Sequence, residues 1–175
     1  AIRKCKALKY LQVQGNKICD RGKRVLAAAM AVQENVRYVT CDEWAVHNNT
    51  HTLDVSDHGL GPSDIVLLGA MVCNNPRLTN LDILQNRMGI EGMYVIKQMI
   101  KDAGWVESIA GASGRDTLDL TGKELDERDG ELVSYELERN STLTTVNLLS
   151  STISRTGLES IQENPRFRSV CGMAV

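Results

Sequence analysis

The sequence predicts an α/β protein: a right-handed solenoid arc, with a parallel sheet on its concave side and helices on its convex side. Three observations predict it. First, the chain echoes itself. Thr52-Leu53-Asp54-Val55 followed by Gly59-Leu60 recurs 65 positions on as Thr117-Leu118-Asp119-Leu120 followed by Glu124-Leu125. The echo runs on without a gap, taking Leu67 to Leu132, Leu78 to Leu143, Leu81 to Val146, Ile83 to Leu148, Met88 to Ile153 and Gly92 to Gly157. Second, short stretches of apolar alternation recur, which signal strands. Third, these stretches are followed by a glycine and then by an apolar stripe at helical spacing. A strand–helix unit cannot bury its apolar side alone, so units related by such a period stack to share one core.

The elements follow in order. Leu8-x-x-Leu11-x-Val13-x-x-Asn16-x-Ile18 opens with a strand, and after Gly22 comes the stripe Val25, Leu26, Ala29, Met30. Val36-x-x-Val39-x-Cys41 is a second strand, followed by an extra segment near 42–51 and the first T-L-D-V. Pro62 with Ser63 and Asp64 starts a helix striped by Ile65, Leu68, Gly69 and Val72. Leu78-x-x-Leu81-x-Ile83-x-x-Asn86-x-Met88 is a third strand and turn, followed after Gly92 by Val95, Ile96, Met99 and Ile100. Val106-x-x-Ile109-x-Gly111 is a fourth strand, with a second extra segment near 111–116 and then T-L-D-L. The acid pairs Asp126/Glu127 and Asp129/Glu131 sit at a helix N-terminus, where they complement the macrodipole. Leu143-x-x-Val146-x-Leu148-x-x-Ser151-x-Ile153 is a fifth strand, and a short helix over Leu158–Asn164 ends at Pro165. Phe167, Val170 and Gly172 hold the slots of a sixth.

Strand starts at 8, 36, 78, 106, 143 and 167 give steps of 28, 42, 28, 37 and 24. The long steps contain the extra segments. The favoured path takes Val36 and Val106 as sheet strands and the extra segments as protrusions. The other path gives the sheet strand to T-L-D-[VL]. The Asn at the turn is expected to satisfy backbone groups left unpaired as the chain bends.

The L-x-x-L-x-L-x-x-N-x-L frame, the glycine after it and the helix completing a 28-residue unit resemble the ribonuclease-inhibitor-like class of leucine-rich repeat proteins. The resemblance covers about Leu8 to Gly172, as one domain over 1–175 of five to six units. The Leu8 and Leu78 units carry the frame most fully. The Val36, Val106 and Phe167 units lack the Asn, and His58 and Lys123 stand in its place when the T-L-D stretches are aligned.

Composition excludes several classes. A net charge of −2 and a pI near 6.0 give no basic field for nucleic acid or an anionic membrane. No apolar stretch reaches the roughly 18 residues of a transmembrane helix, and no signal peptide is visible. Five cysteines, an odd number without C-x-x-C, suit reduced thiols in the cytoplasm or another intracellular compartment. The two N-x-[ST] triplets, at Asn48 and Asn140, are a pattern short enough to arise by chance.

The strand positions that point away from the core are the first candidate site. They include Lys9, Tyr10, Gln12, Arg37, Tyr38, Thr40, Asn80, Asp82, Glu107, Thr145 and Asn147, with Thr79, Ser108, Ala110 and Thr144 beside them. Tyr10 and Tyr38 fall in adjacent strands next to Lys9 and Arg37, which is hot-spot composition. An ordinary solvated sheet face is the competing reading. Trp44, in the first extra segment, is either an exposed anchor for a partner or a plug over the core edge, and the plug is favoured. His47, His51 and His58 lie near Cys41, Asp42 and Glu43, but Asn48-Asn49 reads as a turn, so no metal is assigned. Gly59-x-Gly61-Pro62 lacks the third glycine and one amide donor of a phosphate loop. No nucleophile elbow is present, and no cofactor is assigned.

The resemblance implies a non-catalytic protein–protein interaction scaffold, a subunit of a larger assembly that binds through the concave face or the insertion-bearing rim. It also implies an alternative: regulation of a partner enzyme, because Ran GTPase-activating proteins and ribonuclease inhibitor share this repeat class. A metal-binding or catalytic protein is the third reading. Ala1–Lys6 reads as a lead-in or the tail of an earlier helix, and neither end has an evident polar cap. A fragment of a longer array, or ends covered by partners, is the expectation.

Overall fold

Apolar alternation becomes short strands that turn their central residue inward. The computed structural model describes residues 5, 7–33, 35–163 and 170–171. The strands are β1 (Tyr10–Gln12), β2 (Tyr38–Thr40), β3 (Ala45–His47), β4 (Thr52–Asp54), β5 (Asn80–Asp82), β6 (Thr117–Asp119), β7 (Glu124–Leu125), β8 (Thr145–Asn147), β9 (Thr152–Ile153) and β10 (Val170–Cys171). The helices are α1 (Asp20–Met30), α2 (Pro62–Val72), α3 (Gly89–Asp102), α4 (Glu127–Arg139) and α5 (Arg155–Gln162). Val39, Val46, Leu81, Leu118 and Val146, each the middle of its strand, are buried. Parallel pairs set Tyr10 opposite Tyr38, Thr52 opposite Asn80 and Thr117 opposite Thr145, each 28 residues apart.

The single solenoid arc with one continuous parallel sheet is not what forms. The described residues are α/β, but their strands divide into four small sheets: β1-β2-β3, β4-β5, β10-β8-β6 and β7-β9. The first of these is mixed, because β3 runs antiparallel to β2. Two local causes interrupt the ladder. The first extra segment folds back as β3 and occupies the free edge of β2. It sets Tyr38 opposite His47, Val39 opposite Val46 and Thr40 opposite Ala45, and an edge already paired has no donors left for a parallel neighbour. The second cause is side-chain capping. Ser108 bridges Asn80 of β5, but the next amides turn to side chains. The Ile109 amide donates to Glu136 Oε2 at 2.9 Å, and the Ala110 and Ala112 amides donate to Ser108 Oγ at 3.2 and 2.8 Å.

The favoured strand path is corrected in the same way. Both T-L-D stretches supply strands, β4 and β6, and the extra segment near 42–51 is not a bare protrusion, since it contains β3. The Val36 segment supplies β2, while the Val106 segment is reduced to isolated bridges at Ser108 and Ala110. Of the lead-in over 1–6 only Cys5 is described; Ala1–Lys4 and Lys6 lie outside the described residues, as do Asn164, Pro165, Phe167 and Gly172.

Helices cover the inner side of the sheets. α2 packs between α1 and α3, which is why a helix apolar on nearly all sides is stable there. Its stripe Ile65, Leu68, Gly69 and Val72 is buried. α4 is started by Asp126, whose carboxylate accepts the amides of Arg128 and Asp129, while Asp129 returns a bond to the Asp126 amide. α4 and α5 touch through glycines: a Cβ on Gly130 would lie 2.2 Å from Gly157 Cα. Asn86 does what its place in the frame requires. Buried, it donates to the Val55 and Ile83 carbonyls at 2.8 and 2.9 Å and accepts the Leu60 amide at 2.9 Å. Among the described residues, no helix is long and apolar enough to cross a membrane.

Candidate partner-binding surface

The three strands of the first sheet carry an aromatic row. Leu11, Val39 and Val46 alternate inward, so Tyr10, Tyr38 and His47 alternate outward. Register brings these three side by side across β1, β2 and β3. The Tyr38 and His47 rings stack, with centroids 3.9 Å apart and planes 28° apart. Tyr10 ends the row and is 65% exposed. Lys9 and Arg37 stand exposed at the same end of their strands, where the Lys9 carbonyl accepts the Arg37 amide at 2.8 Å. Gln12 is exposed one step along.

The platform beneath the row is held by buried groups. Asn75, which is 2% exposed, donates to the His47 and Thr50 carbonyls at 2.9 and 3.1 Å and so fixes the end of the hairpin. Thr50 Oγ1 accepts the His47 amide at 3.0 Å. Asp42, in the β2–β3 turn, accepts the Gly15 amide and ties the hairpin to the turn after β1. Trp44 is buried at 5% exposure, so it plugs the core edge and is not an exposed anchor; its indole N–H has no hydrogen-bond partner among the described residues. Thr40 is also buried, with its hydroxyl bonded to Gln14, and leaves the expected binding face.

The remaining strand-face residues are engaged internally. Asn80 accepts the Ser113 amide at 3.2 Å, and the Ser113 hydroxyl donates to Glu107, so the 111–116 loop is tied over both. Ser108 and Ala110 are buried. Asp82 lies 3.6 Å from Lys123 Nζ. Burial raises its carboxyl above the ordinary carboxylate range, and Lys123 opposes that rise. Asn147 accepts the Leu149 amide at 3.2 Å, and Thr145 is half-buried. The row on the first sheet is therefore the most open part of the expected face.

Other chemistry is thin. Among the described residues, no group of three His, Cys, Asp or Glu is placed to hold a metal ion. His47 is stacked on Tyr38, and His58 Nδ1 lies 2.7 Å from the Ser56 carbonyl. Burial pushes the Cys41 thiol up to about 12, far from a reactive thiolate. An apolar groove of about 340 Å³ runs between α2 and α3 beside Tyr94, which is 70% exposed. The expectation omitted His47 from the binding face. Its signal was the Ala45-Val46-His47 alternation after Trp44, hidden because the segment read as an irregular insertion. No protein-family model matches the sequence, and no curated protein matches it.

Proposed function

We propose that this chain is a non-catalytic protein-interaction module, a subunit that binds a protein partner through the row Tyr10, Tyr38 and His47 with Lys9, Arg37 and Gln12 around it. The observation that carries the reading is the exposed aromatic row set in register across three strands. Tyrosine offers a large contact area with few rotatable bonds, so little freedom is lost when it is covered. Tyr and Arg together are the residue types most often found to dominate interface energy. The buried supports, Asn75 and Trp44, preorganise the surface, which lowers the cost of ordering on binding. The free thiols of Cys5, Cys19, Cys41 and Cys73 support an intracellular setting.

The test is affinity capture from the native source with mass spectrometry. The wild-type chain is compared with Tyr10→Ala/Tyr38→Ala and with Tyr94→Ala on the helical side. The double variant should lose its partner while keeping the wild-type circular dichroism, and Tyr94→Ala should keep the partner. Retention by the folded double variant contradicts the proposal.

A further inference from the structure

We infer that the partner presents a carboxylate-bearing segment to the aromatic row. This rests on the reading of the row as the binding surface. The outward residues of the strands change sign along the chain. β1 and β2 begin beside Lys9 and Arg37, whereas the later strand segments carry Asp54, Asp82, Glu107, Asp116 and Asp119. Among the described residues, the acids nearest the row in sequence are engaged at the far end of the hairpin: Asp42 accepts the Gly15 amide, and Glu43 lies 3.9 Å from Lys23. Lys9 and Arg37 are in no ion pair among the described residues. Two exposed cations thus flank the row without an ion pair to another described residue. A carboxylate gains a charge-assisted bond from the Arg37 guanidinium at this end and meets like charge along the later strands. Attraction at one place and repulsion elsewhere fix both site and register.

The test uses a fluorescein-labelled hexaglutamate peptide and a hexalysine peptide, followed by fluorescence anisotropy against the full chain at low and high salt. Hexaglutamate should bind, weaken as salt rises and bind at least about tenfold more weakly to Lys9→Glu/Arg37→Glu. Hexalysine, drawn to the acidic later strands, should not be weakened by the same charge reversal. Both substitutions are at exposed positions, and thermal melting confirms that the variant is folded. Indifference of hexaglutamate to the charge reversal, or an equal loss of hexalysine binding in the same variant, overturns the inference. Sedimentation of the protein alone should show a monomer. A dimer abolished by Tyr10→Ala would put a second copy on the row and overturn it as well. The two readings separate in the capture experiment. A partner lost by Tyr10→Ala/Tyr38→Ala but kept by Lys9→Glu/Arg37→Glu leaves the row as the interface and removes the carboxylate. A partner kept by both removes both.

Discussion

Replacing Asn86 by Ala should destabilise the chain more than any exposed polar substitution. Asn86 is 3% exposed, and its amide donates to the carbonyls of Val55 at 2.8 Å, Ile83 at 2.9 Å and Leu84 at 3.3 Å. Its Oδ1 accepts the amide of Leu60, a residue with no exposure, at 2.9 Å. Two amide hydrogens serve the carbonyls, so Ala orphans one backbone N–H and two strongly bonded carbonyls. At about 1–2 kcal/mol for each orphaned buried group, the sum is roughly 3–6 kcal/mol. That is a large share of a typical total stability of about 5–15 kcal/mol. Urea unfolding with a slope of about 2–3 kcal/mol/M should therefore show the midpoint falling by roughly 1–3 M. Asn16 holds the same place in the first frame and donates to Val13 and Gln14 at 2.9 and 3.1 Å, but it is exposed. Water replaces its bonds, so Asn16→Ala should cost less than about 1 kcal/mol. A loss below 1 kcal/mol for Asn86→Ala, or equal losses at the two positions, refutes the reasoning.

Three further outcomes follow from the same structure. Glu136→Ala should cost about 2–5 kcal/mol in chemical denaturation, because it leaves the Ile109 amide and the Asn140 side chain without their acceptor. Glu136→Gln keeps an acceptor for Ile109 and should cost at least about 1 kcal/mol less; equal losses would show that the capping of this edge is unimportant. Gly130→Ala should force α4 from α5, lowering stability by about 1–3 kcal/mol in calorimetry, whereas Gly104→Ala, with open space around it, should be near neutral. For Asp82, burial raises the folded carboxyl above the ordinary value of 3.8. Its contribution to stability is thus present below the unfolded value and lost as pH rises through the folded one. Asn does not titrate, so the stability difference between Asp82→Asn and wild type should move in the variant's favour from pH 3 to pH 7. Urea midpoints at both pH values check this, and a difference that is constant or moves the other way contradicts it.

Helices were the most legible part of the sequence. The stripe Ile65, Leu68, Gly69 and Val72 is buried in α2, and Pro62 is its first residue. Ile96, Met99 and Ile100 are buried in α3, although Val25, placed on the inward stripe of α1, is 64% exposed. Periodicity alone gave these elements, because a helix buries one face by local spacing. The Asn86 turn was legible from its place in the frame, although two of its bonds cross to Val55 and Leu60 in the preceding unit. The division of the sheet was not legible. It depends on a hairpin strand that read as an insertion, and on Glu136, which the stripe Leu132, Val133 and Leu137 puts on the inward face of α4 but whose bond to the Ile109 amide no local pattern shows. Alternation likewise assigned Thr40 and Ser108 to solvent; side-chain bonds to Gln14 and to the Ala110 and Ala112 amides accompany their burial instead. Of the candidate site, the row of Tyr10 and Tyr38 was legible from the strand frame, and its third member, His47, was not.

The most direct test of the binding surface is site-specific photo-crosslinking. A benzophenone amino acid replaces Tyr10 in one protein and Tyr94 in another; the two residues are 65% and 70% exposed, so the label is similarly accessible at both. Irradiation in extract from the native source should link a partner from position 10 and leave position 94 without one. A partner linked from position 94 alone would contradict the account.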